Sequence, residues 1–186
     1  MGMPAPSKPK RWTAAMVREF PEDGNRYEVI DGVLLVTPAP RVVHQRAVAR
    51  LLFALQLWIR EQDIGEVLLS PADLELEPDD LVQPDMFVCP VVAKDWTDIR
   101  SLVLAVEVLS PTTERYDRGR KRRYFSRVGV PEYWIVDCDQ RVIERWRPGA
   151  ATPELAGTTL EWRPAGATRA FVLDLIAFFG TVHADA

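Results

Sequence analysis

Glu107 is the most conspicuous chemical group in the sequence, because it is the one charged residue in an apolar run over residues 102–109. A strand this apolar is usually buried on both of its faces. Burying an unpaired carboxylate costs on the order of several kcal/mol, so the group must be protonated, paired with a cation or bound to a metal ion. The alternative is that Glu107 lies at an exposed strand end or pairs with an arginine.

Asp85 is a second carboxylate of interest, since it follows Gln83-Pro84 at the start of another short β-prone run. Two carboxylates on adjacent strands would form an oxygen-rich site of the kind that suits Mg²⁺ or Mn²⁺. Asp after Pro is also common in turns, so Asp85 taken alone is better explained as a turn residue.

Lys121 lies in a predicted helix that places Asp117, Lys121 and Tyr124 on one face, because residues three and four apart are neighbours. The lysine can thereby point at the strand that carries Glu107. The alternative is an exposed Asp117–Lys121 pair worth about a few tenths of a kcal/mol. The same helix carries six arginines, which could hold phosphates beside the site or form a solvated face: Arg115, Arg118, Arg120, Arg122, Arg123 and Arg127.

Other reactive residue types receive simpler interpretations. We interpret His44 as a hydrogen-bonding residue at a helix terminus. The hydroxyl residues after Glu107 are expected to cap a helix, since the sequence suggests no Ser-His-Asp arrangement; they are Ser110, Thr112 and Thr113. Cys89 and Cys138 form no CxxC pair, so we expect two buried free thiols.

The elements that would position these residues alternate between strands and helices. Thr13 is predicted to cap a helix through Phe20, and Asp31-Gly32 predicts a tight hairpin turn. Apolar residues spaced by three and four predict a helix over residues 43–64, capped by Gly65 and packed across a sheet. Strands are predicted over residues 26–30, 33–37, 66–70, 73–77, 85–89, 102–109, 133–137 and 142–146, with an edge strand near Leu160, and further helices over about 113–128 and 173–179. This order predicts an α/β fold with helices on the faces of a sheet.

Length and composition limit the classes of protein. A chain of 186 residues that is 47% hydrophobic suits one domain, predicted over residues 12–186 after a disordered arm over residues 1–11. A net charge of -4 argues against a strongly basic nucleic-acid coat protein. No apolar run approaches the length of about 20 residues that spans a bilayer, so we expect a soluble, cytoplasmic protein without a membrane partner.

Several motifs together resemble the Uma-two family of restriction-endonuclease-like proteins. They are residues 26–32, His44, residues 83–85, residues 107–113, Asp117, Lys121, Tyr124 and residues 129–137, and the resemblance covers about residues 12–180. The family is similar to the PD-(D/E)xK nucleases. The resemblance therefore implies a restriction-endonuclease-like fold with a central mixed sheet flanked by helices and an N-terminal hairpin.

The same resemblance implies roles for individual residues. Asp85, Glu107 and the Val108 carbonyl would bind one Mg²⁺ or Mn²⁺ ion, Glu28 would be a further acidic member of the site, and Lys121 would orient or deprotonate the attacking water. The superfamily motif places its lysine two residues after the glutamate, but that position is Leu109 here. The role would then pass to Lys121 on the following helix.

Three hypotheses of function follow. The first is a metal-dependent endonuclease that hydrolyses phosphodiester bonds in DNA as a homodimer, with the dimer resting on analogy alone. In it, Arg118, Arg122 and Arg123 would bind the nucleic acid. The second is a catalytically silent nucleic-acid-binding or accessory protein that retains the fold. The third is a structural or protein-interaction domain.

Overall fold

The computed structural model describes residues 11–90 and 92–184, so the predicted arm lies, apart from Arg11, outside the described residues. The first described elements match the sequence predictions. Helix α1 (Ala14–Arg18) is capped by the Thr13 side chain, which accepts a hydrogen bond from the Met16 N–H. Strands β1 (Arg26–Ile30) and β2 (Val33–Thr37) form an antiparallel hairpin. Asp31 and Gly32 both have positive φ angles, 53° and 75°, which is the backbone that a tight type I′ turn requires.

A six-stranded mixed sheet forms the centre of the protein. Its order is β3 (Glu66–Leu69), β4 (Met86–Cys89), β5 (Leu104–Val108), β6 (Glu132–Asp137), β7 (Val142–Trp146) and β8 (Glu154–Ala156). All neighbouring strands are antiparallel except β5 and β6. The parallel β5–β6 pair requires a crossover, and the helical segment that carries Lys121 supplies it.

The two faces of the sheet are covered by different elements. Helix α2 (Val42–Gln62), a hairpin of β9 (Thr159–Trp162) and β10 (Phe171–Asp174), and helix α5 (Leu175–His183) pack on one face, around Trp134 and Val106. The opposite face, around Ala105 and Ile135, packs against Tyr124 and Phe125. Both faces are therefore buried, and this confirms the predicted α/β class with helices flanking a mixed sheet.

The crossover segment is one helical run with a wider turn in its middle. It consists of α3 (Glu114–Tyr116), a π-helical turn (Asp117–Lys121) and α4 (Arg122–Arg127). Single π-helical turns are rare in proteins as a whole, and those that occur are often found at functional sites. Here the turn contains both Asp117 and Lys121, the two buried charged residues of the segment.

Two predictions about the segment that follows α2 were wrong. Helix α2 ends with Asp63 in the left-handed conformation rather than with Gly65. Gly65 is required for another reason, since a Cβ atom there would lie 2.0 Å from the Cys89 carbonyl oxygen. Residues 73–77 form no strand, because only an isolated bridge joins Leu74 to Val82.

The C-terminal part of the sheet also differs from the prediction. The strand at Leu160 pairs with β10 in a separate hairpin, and the edge of the main sheet is β8, where no strand was predicted. The last helix begins at Leu175 and ends at His183, because β10 takes residues 171–174 and Asp174 caps the helix.

No helix among residues 11–90 and 92–184 is long and apolar enough to cross a membrane. Cys89 and Cys138 are buried and form no disulfide, as predicted.

Candidate functional site

Lys121 lies at the centre of a buried cluster of carboxylates. Its Nζ is 2.8 Å from Glu107 Oε1, 2.8 Å from Glu28 Oε2 and 3.8 Å from Asp117 Oδ1. The lysine is 2% exposed, and the three carboxylate residues are equally inaccessible. The Asp117–Lys121 pair is thus not the exposed pair that one interpretation proposed, and Glu107 pairs with a lysine rather than an arginine.

Three elements converge to form this cluster. Glu107 lies near the end of β5, on the face that also carries Ala105 and Leu109, and that face packs against the crossover helix. The π-helical turn directs Lys121 onto the same face. Glu28 comes from β1, and its Oε1 accepts a hydrogen bond from the Gln83 N–H at 2.8 Å.

Asp85 is held by three donors at the start of β4. Arg26 Nη1 lies 2.7 Å from its Oδ1, while His44 Nε2 and the Val108 N–H lie 2.9 Å from its Oδ2. The β4–β5 register pairs Met86 with Val106, so continuing it by one residue places Asp85 opposite Glu107. A residue in an extended strand directs its N–H and its carbonyl to the same side, so the Val108 carbonyl faces the Asp85 side of β5.

His44 and Arg26 are site residues that sequence reasoning did not assign. His44 was expected to form a hydrogen bond near a helix terminus, and it does so within the first turn of α2, but its partner is a candidate metal ligand. Both contacts to Asp85 join residues that are 41 and 59 positions apart in the chain. The available signal was that Arg26 and His44 both belong to the motifs that carry the family resemblance.

The site carries more negative than positive charge. Four buried carboxylates face two permanently charged cations and one histidine; the carboxylates are Glu28, Asp85, Glu107 and Asp117, and the basic residues are Arg26, Lys121 and His44. Burial raises the pKa of Glu107 well above its ordinary value, although Lys121 opposes the shift. Burial also raises the pKa of Asp117 to about 6. The cluster therefore favours binding a proton or another cation.

The pKa values of Asp85 and Lys121 are shifted in the direction that favours their charged forms. Burial alone would raise the pKa of Asp85, but His44, Arg26 and the Val108 N–H together hold it well below its usual range. Burial likewise opposes the charge on Lys121, yet its carboxylate neighbours raise its pKa above the ordinary lysine value. Both groups are therefore charged at neutral pH.

A cavity of about 240 Å³ opens onto this site. Its wall contains acidic, basic, hydroxyl and proline side chains: Arg26, Thr37, Pro38, Ala39, Pro40, Arg41, His44, Asp85, Glu107, Val108, Ser110, Pro111, Thr112, Thr113 and Lys121. Ser110 Oγ lies 3.3 Å from the Thr113 N–H and within 3.0 Å of the Thr112 and Thr113 hydroxyls, so it closes the turn before the helix. The side chains of Thr112 and Thr113 do not cap the helix as was expected, although Thr113 occupies the cap position.

The donor set suits a hard divalent cation. Asp85, Glu107 and the Val108 carbonyl could supply oxygen ligands, and the excess negative charge and the raised pKa of Glu107 would both favour a cation at this position. In the described residues no three His, Cys, Asp or Glu side chains are arranged to hold a metal ion. The structure instead has the ion-paired arrangement, in which Lys121 and Arg26 occupy carboxylate oxygens.

The three arginines expected to bind nucleic acid lie in different surroundings. Arg118 forms ion pairs with Glu114, Asp137 and Glu144, so its charge is already offset. Arg122 stacks over Trp146 at 4.5 Å from the ring centroid. Arg123 is exposed and lines an open depression with Arg115 and Arg120.

The comparisons with known proteins agree with this fold. A crystal structure described as a "putative nuclease belonging to DUF820" from Anabaena variabilis ATCC 29413 is similar, with a TM-score of 0.71 and 17% sequence identity, over 91% of this chain and 98% of that chain. An identity this low shows the fold alone. No curated protein matches the sequence. Residues 14–174 match the family described as "Uma2: Putative restriction endonuclease". Because that match spans most of the sequence, the chain belongs to the Uma2 family.

Proposed function

We propose that this protein is a metal-dependent endonuclease that hydrolyses phosphodiester bonds in DNA. The observation that carries the proposal is the position of Lys121 Nζ, 2.8 Å from both Glu107 and Glu28 in a buried cluster that opens to a cavity also lined by Asp85. Burying this much charge is costly for stability, and perturbed buried charges in a cleft are typical of functional sites.

The proposed metal ligands are Asp85, Glu107 and the Val108 carbonyl. A bound Mg²⁺ or Mn²⁺ ion would lower the pKa of a water molecule and offset the charge that builds on the phosphate. The Arg26 and His44 contacts would keep the Asp85 carboxylate ionised and oriented, which is the usual work of groups behind a metal ligand.

Lys121 is proposed to orient the attacking water and to stabilise negative charge on the phosphate. Its pKa is raised by Glu107 and Glu28, so it stays protonated at neutral pH and is poorly suited to remove a proton. Of the two roles that the family resemblance leaves open, the charge of Lys121 therefore favours orientation. Glu28, which also pairs with Lys121, would be the further acidic member of the site.

A catalytically silent nucleic-acid-binding protein is the second candidate. The observation that favours it is that Arg26 and Lys121 neutralise carboxylates that the first proposal assigns to the metal. The two candidates differ in a direct way, because only the first requires bond cleavage.

The test is incubation of labelled single-stranded and duplex DNA with the purified protein in Mn²⁺, in Mg²⁺ and in EDTA. We expect cleavage with either metal and none in EDTA. The Glu107→Ala variant should be inactive, and Glu161→Ala, which removes an exposed glutamate from β9, should cleave at the parental rate. Binding without cleavage under every condition would support the second candidate instead.

A further inference from the structure

An open depression with a basic wall lies on the exposed side of the crossover segment. Its volume is about 510 Å³, and it is lined by three arginines, a tyrosine, a glycine and one residue of the N-terminal hairpin: Arg115, Tyr116, Gly119, Arg120, Arg123 and Val33. Residues three and four apart are neighbours on a helix surface, so the five residues of the segment share one face. Because the whole chain has a net charge of -4, this basic depression is a local reversal of its charge.

Most of the positive charge in the basic depression is not offset by carboxylates. Arg115 and Arg123 are exposed and have no hydrogen-bond or ion-pair partner among residues 11–90 and 92–184. Arg120 is partly engaged, since its Nη1 lies 3.5 Å from Asp31 Oδ2. Glu114, the acidic residue next to the depression in the sequence, is paired with a different arginine. The basic depression therefore offers two unpaired guanidinium groups to an anion.

This set differs from the arginines that the sequence indicated as nucleic-acid ligands. Arg118 is held by three carboxylates, and Arg122 stacks over an indole ring, so Arg123 alone belongs to both sets. Arg115 and Arg123 are eight residues apart, which is about 12 Å along a helix at about 1.5 Å per residue. Two cations at this spacing suit successive phosphates of a polyanion.

Gly119 adds an observation that does not depend on charge. It lies inside the π-helical turn, and glycine destabilises a helix relative to alanine. Its φ angle lies outside the left-handed region, and an added Cβ atom would meet no atom within 4 Å. Neither strain nor packing therefore requires glycine here. Glycine is also used where a backbone approaches a ligand closely, so Gly119 fits a ligand that lies against the helix.

The basic depression and the cavity at the candidate site lie along the same two elements. On the crossover segment, Thr113 lines the cavity and Arg115 lines the depression. On β2, Thr37 lines the cavity and Val33 lines the depression, and strand residues an even number apart share a face. Four strand residues span about 13 Å, which is the rise of about four base pairs of B-DNA. A nucleic-acid strand held at the cavity is thus long enough to reach the depression within a few nucleotides.

We infer that the basic depression binds the sugar–phosphate backbone of DNA to one side of the bond that is cut, through Arg115 and Arg123, without reading the base sequence. This inference rests on the proposed function for the nature of the partner, and it gives that function a second contact surface outside the cavity. Arginine is a usual donor to phosphate oxygens, and such contacts position DNA but carry no sequence information.

The first experiment measures binding of a labelled duplex, and of its labelled single strand, in EDTA over a range of salt concentrations. Combining Arg115→Ala with Arg123→Ala should weaken binding at least about tenfold and reduce the salt slope by about 1.8 on the duplex or about 1.4 on the single strand, the values for two phosphate contacts. Arg60→Ala with Arg100→Ala removes the same charge from two exposed arginines elsewhere and should match the parent. Equal slopes in the two double variants, or no binding of either DNA by the parent, would overturn the inference.

Two further variants separate binding from folding. Arg115→Lys with Arg123→Lys should keep the parental salt slope, because lysine also neutralises a phosphate. Gly119→Leu fills the depression without changing the charge, and it should weaken binding several-fold without lowering the melting temperature, since leucine is the better helix former. Parental binding by Gly119→Leu, or a lower melting temperature with unchanged binding for the double alanine variant, would overturn the inference.

Competition experiments test the class of partner. Duplexes rich in A·T and in G·C pairs should lose affinity by the same factor in the double alanine variant, because phosphate contacts are independent of sequence. Polyglutamate should compete more weakly than unlabelled DNA at equal total charge. Equal competition by polyglutamate would identify an acidic protein as the better partner and would overturn the inference.

Cleavage assays with Mn²⁺ distinguish failure of the inference from failure of the proposed function. The double alanine variant should need more protein to reach half of its maximal single-turnover rate, but that maximal rate should equal the parental one, because the lost contacts lie away from the reacting atoms. Arginine-dependent binding without cleavage of any DNA would support the inference and contradict the endonuclease proposal. Cleavage by the parent, with a parental salt slope in the double alanine variant, would overturn the inference and leave the endonuclease proposal standing.

Discussion

Lys121 Nζ and Glu107 Oε1 lie 2.8 Å apart in the interior of the protein, although the two residues belong to a helix and a strand separated by a turn. The sequence motif that would place a lysine on the strand has Leu109 there, so the amine reaches the carboxylate from the crossover helix instead. The ion pair therefore links the stability of the cluster to its proposed chemistry.

Replacing Lys121 by Met should leave Glu28 and Glu107 buried without a cation. Breaking a buried ion pair in this way costs about 3–5 kcal/mol. Urea unfolding at pH 7.5 in EDTA should show this loss, whereas Arg123→Met, on the exposed part of the same segment, should leave the free energy of unfolding unchanged. Lower pH should recover part of the stability because it allows the carboxylates to be protonated. An unchanged free energy of unfolding for Lys121→Met would show that the ion pair contributes nothing.

Moving the amine back to the strand tests its geometry. Leu109 and Ala105 pack in the same cluster of side chains, so position 109 shares a face with Glu107. Lys121→Ala should nearly abolish cleavage and preserve Mn²⁺ binding, and adding Leu109→Lys should restore part of the rate. Cleavage by Lys121→Ala at the parental rate would remove the lysine from the chemistry.

Asp117 should reduce stability at neutral pH. Its folded-state pKa is raised from 3.8 to about 6, so the folded protein binds a proton that the unfolded chain has already released. The contribution of Asp117 to the stability of the wild-type protein should therefore fall as the pH rises from about 4 to about 6, and it should be constant above that window. Asp117→Asn should flatten this part of the profile and raise the free energy of unfolding at pH 7 by roughly 2–3 kcal/mol, since each unit of the raised pKa corresponds to about 1.4 kcal/mol. Asp139→Asn, at an exposed turn, is the control and should leave the dependence of unfolding free energy on pH unchanged. The same dependence in both variants would show that burial of Asp117 does not lower stability at neutral pH.

The local structure could be predicted from sequence where short-range signals decide it. The Asp31-Gly32 turn and the Thr13 cap are fixed by backbone conformations that few residues tolerate. The strand predicted at residues 73–77 does not form. The alternation of polar and apolar residues is a local signal, and it cannot show that Leu74 pairs with Val82 in an isolated bridge and not within a strand. The Arg26 and His44 contacts to Asp85 could not be derived from spacing, since they depend on how a hairpin, a helix and a strand meet in space.

Arg118 and Arg123 should behave differently although both lie on the basic segment. Arg118→Ala removes the partner of Asp137 and Glu144, which are largely buried, and should cost about 1–2 kcal/mol of unfolding free energy with little effect on DNA binding. Arg123→Ala should leave stability unchanged and reduce the salt slope of DNA binding by about 0.7 to 0.9. Salt titrations of both variants check this. A slope for Arg123→Ala equal to the slope of the parent protein would show that the segment is merely solvated.

Calorimetric titration of the wild-type protein with Mn²⁺ at pH 7.5, in two buffers of different ionisation enthalpy, tests the central claim most directly. The claim is that Asp85 and Glu107 hold one divalent ion. We expect one ion per chain, and the two buffers measure the protons released on binding, because a metal ligand must be deprotonated. Asp85→Asn and Glu107→Gln should each abolish this binding. Binding that persists in both variants, or no binding by the wild-type protein, would contradict the claim.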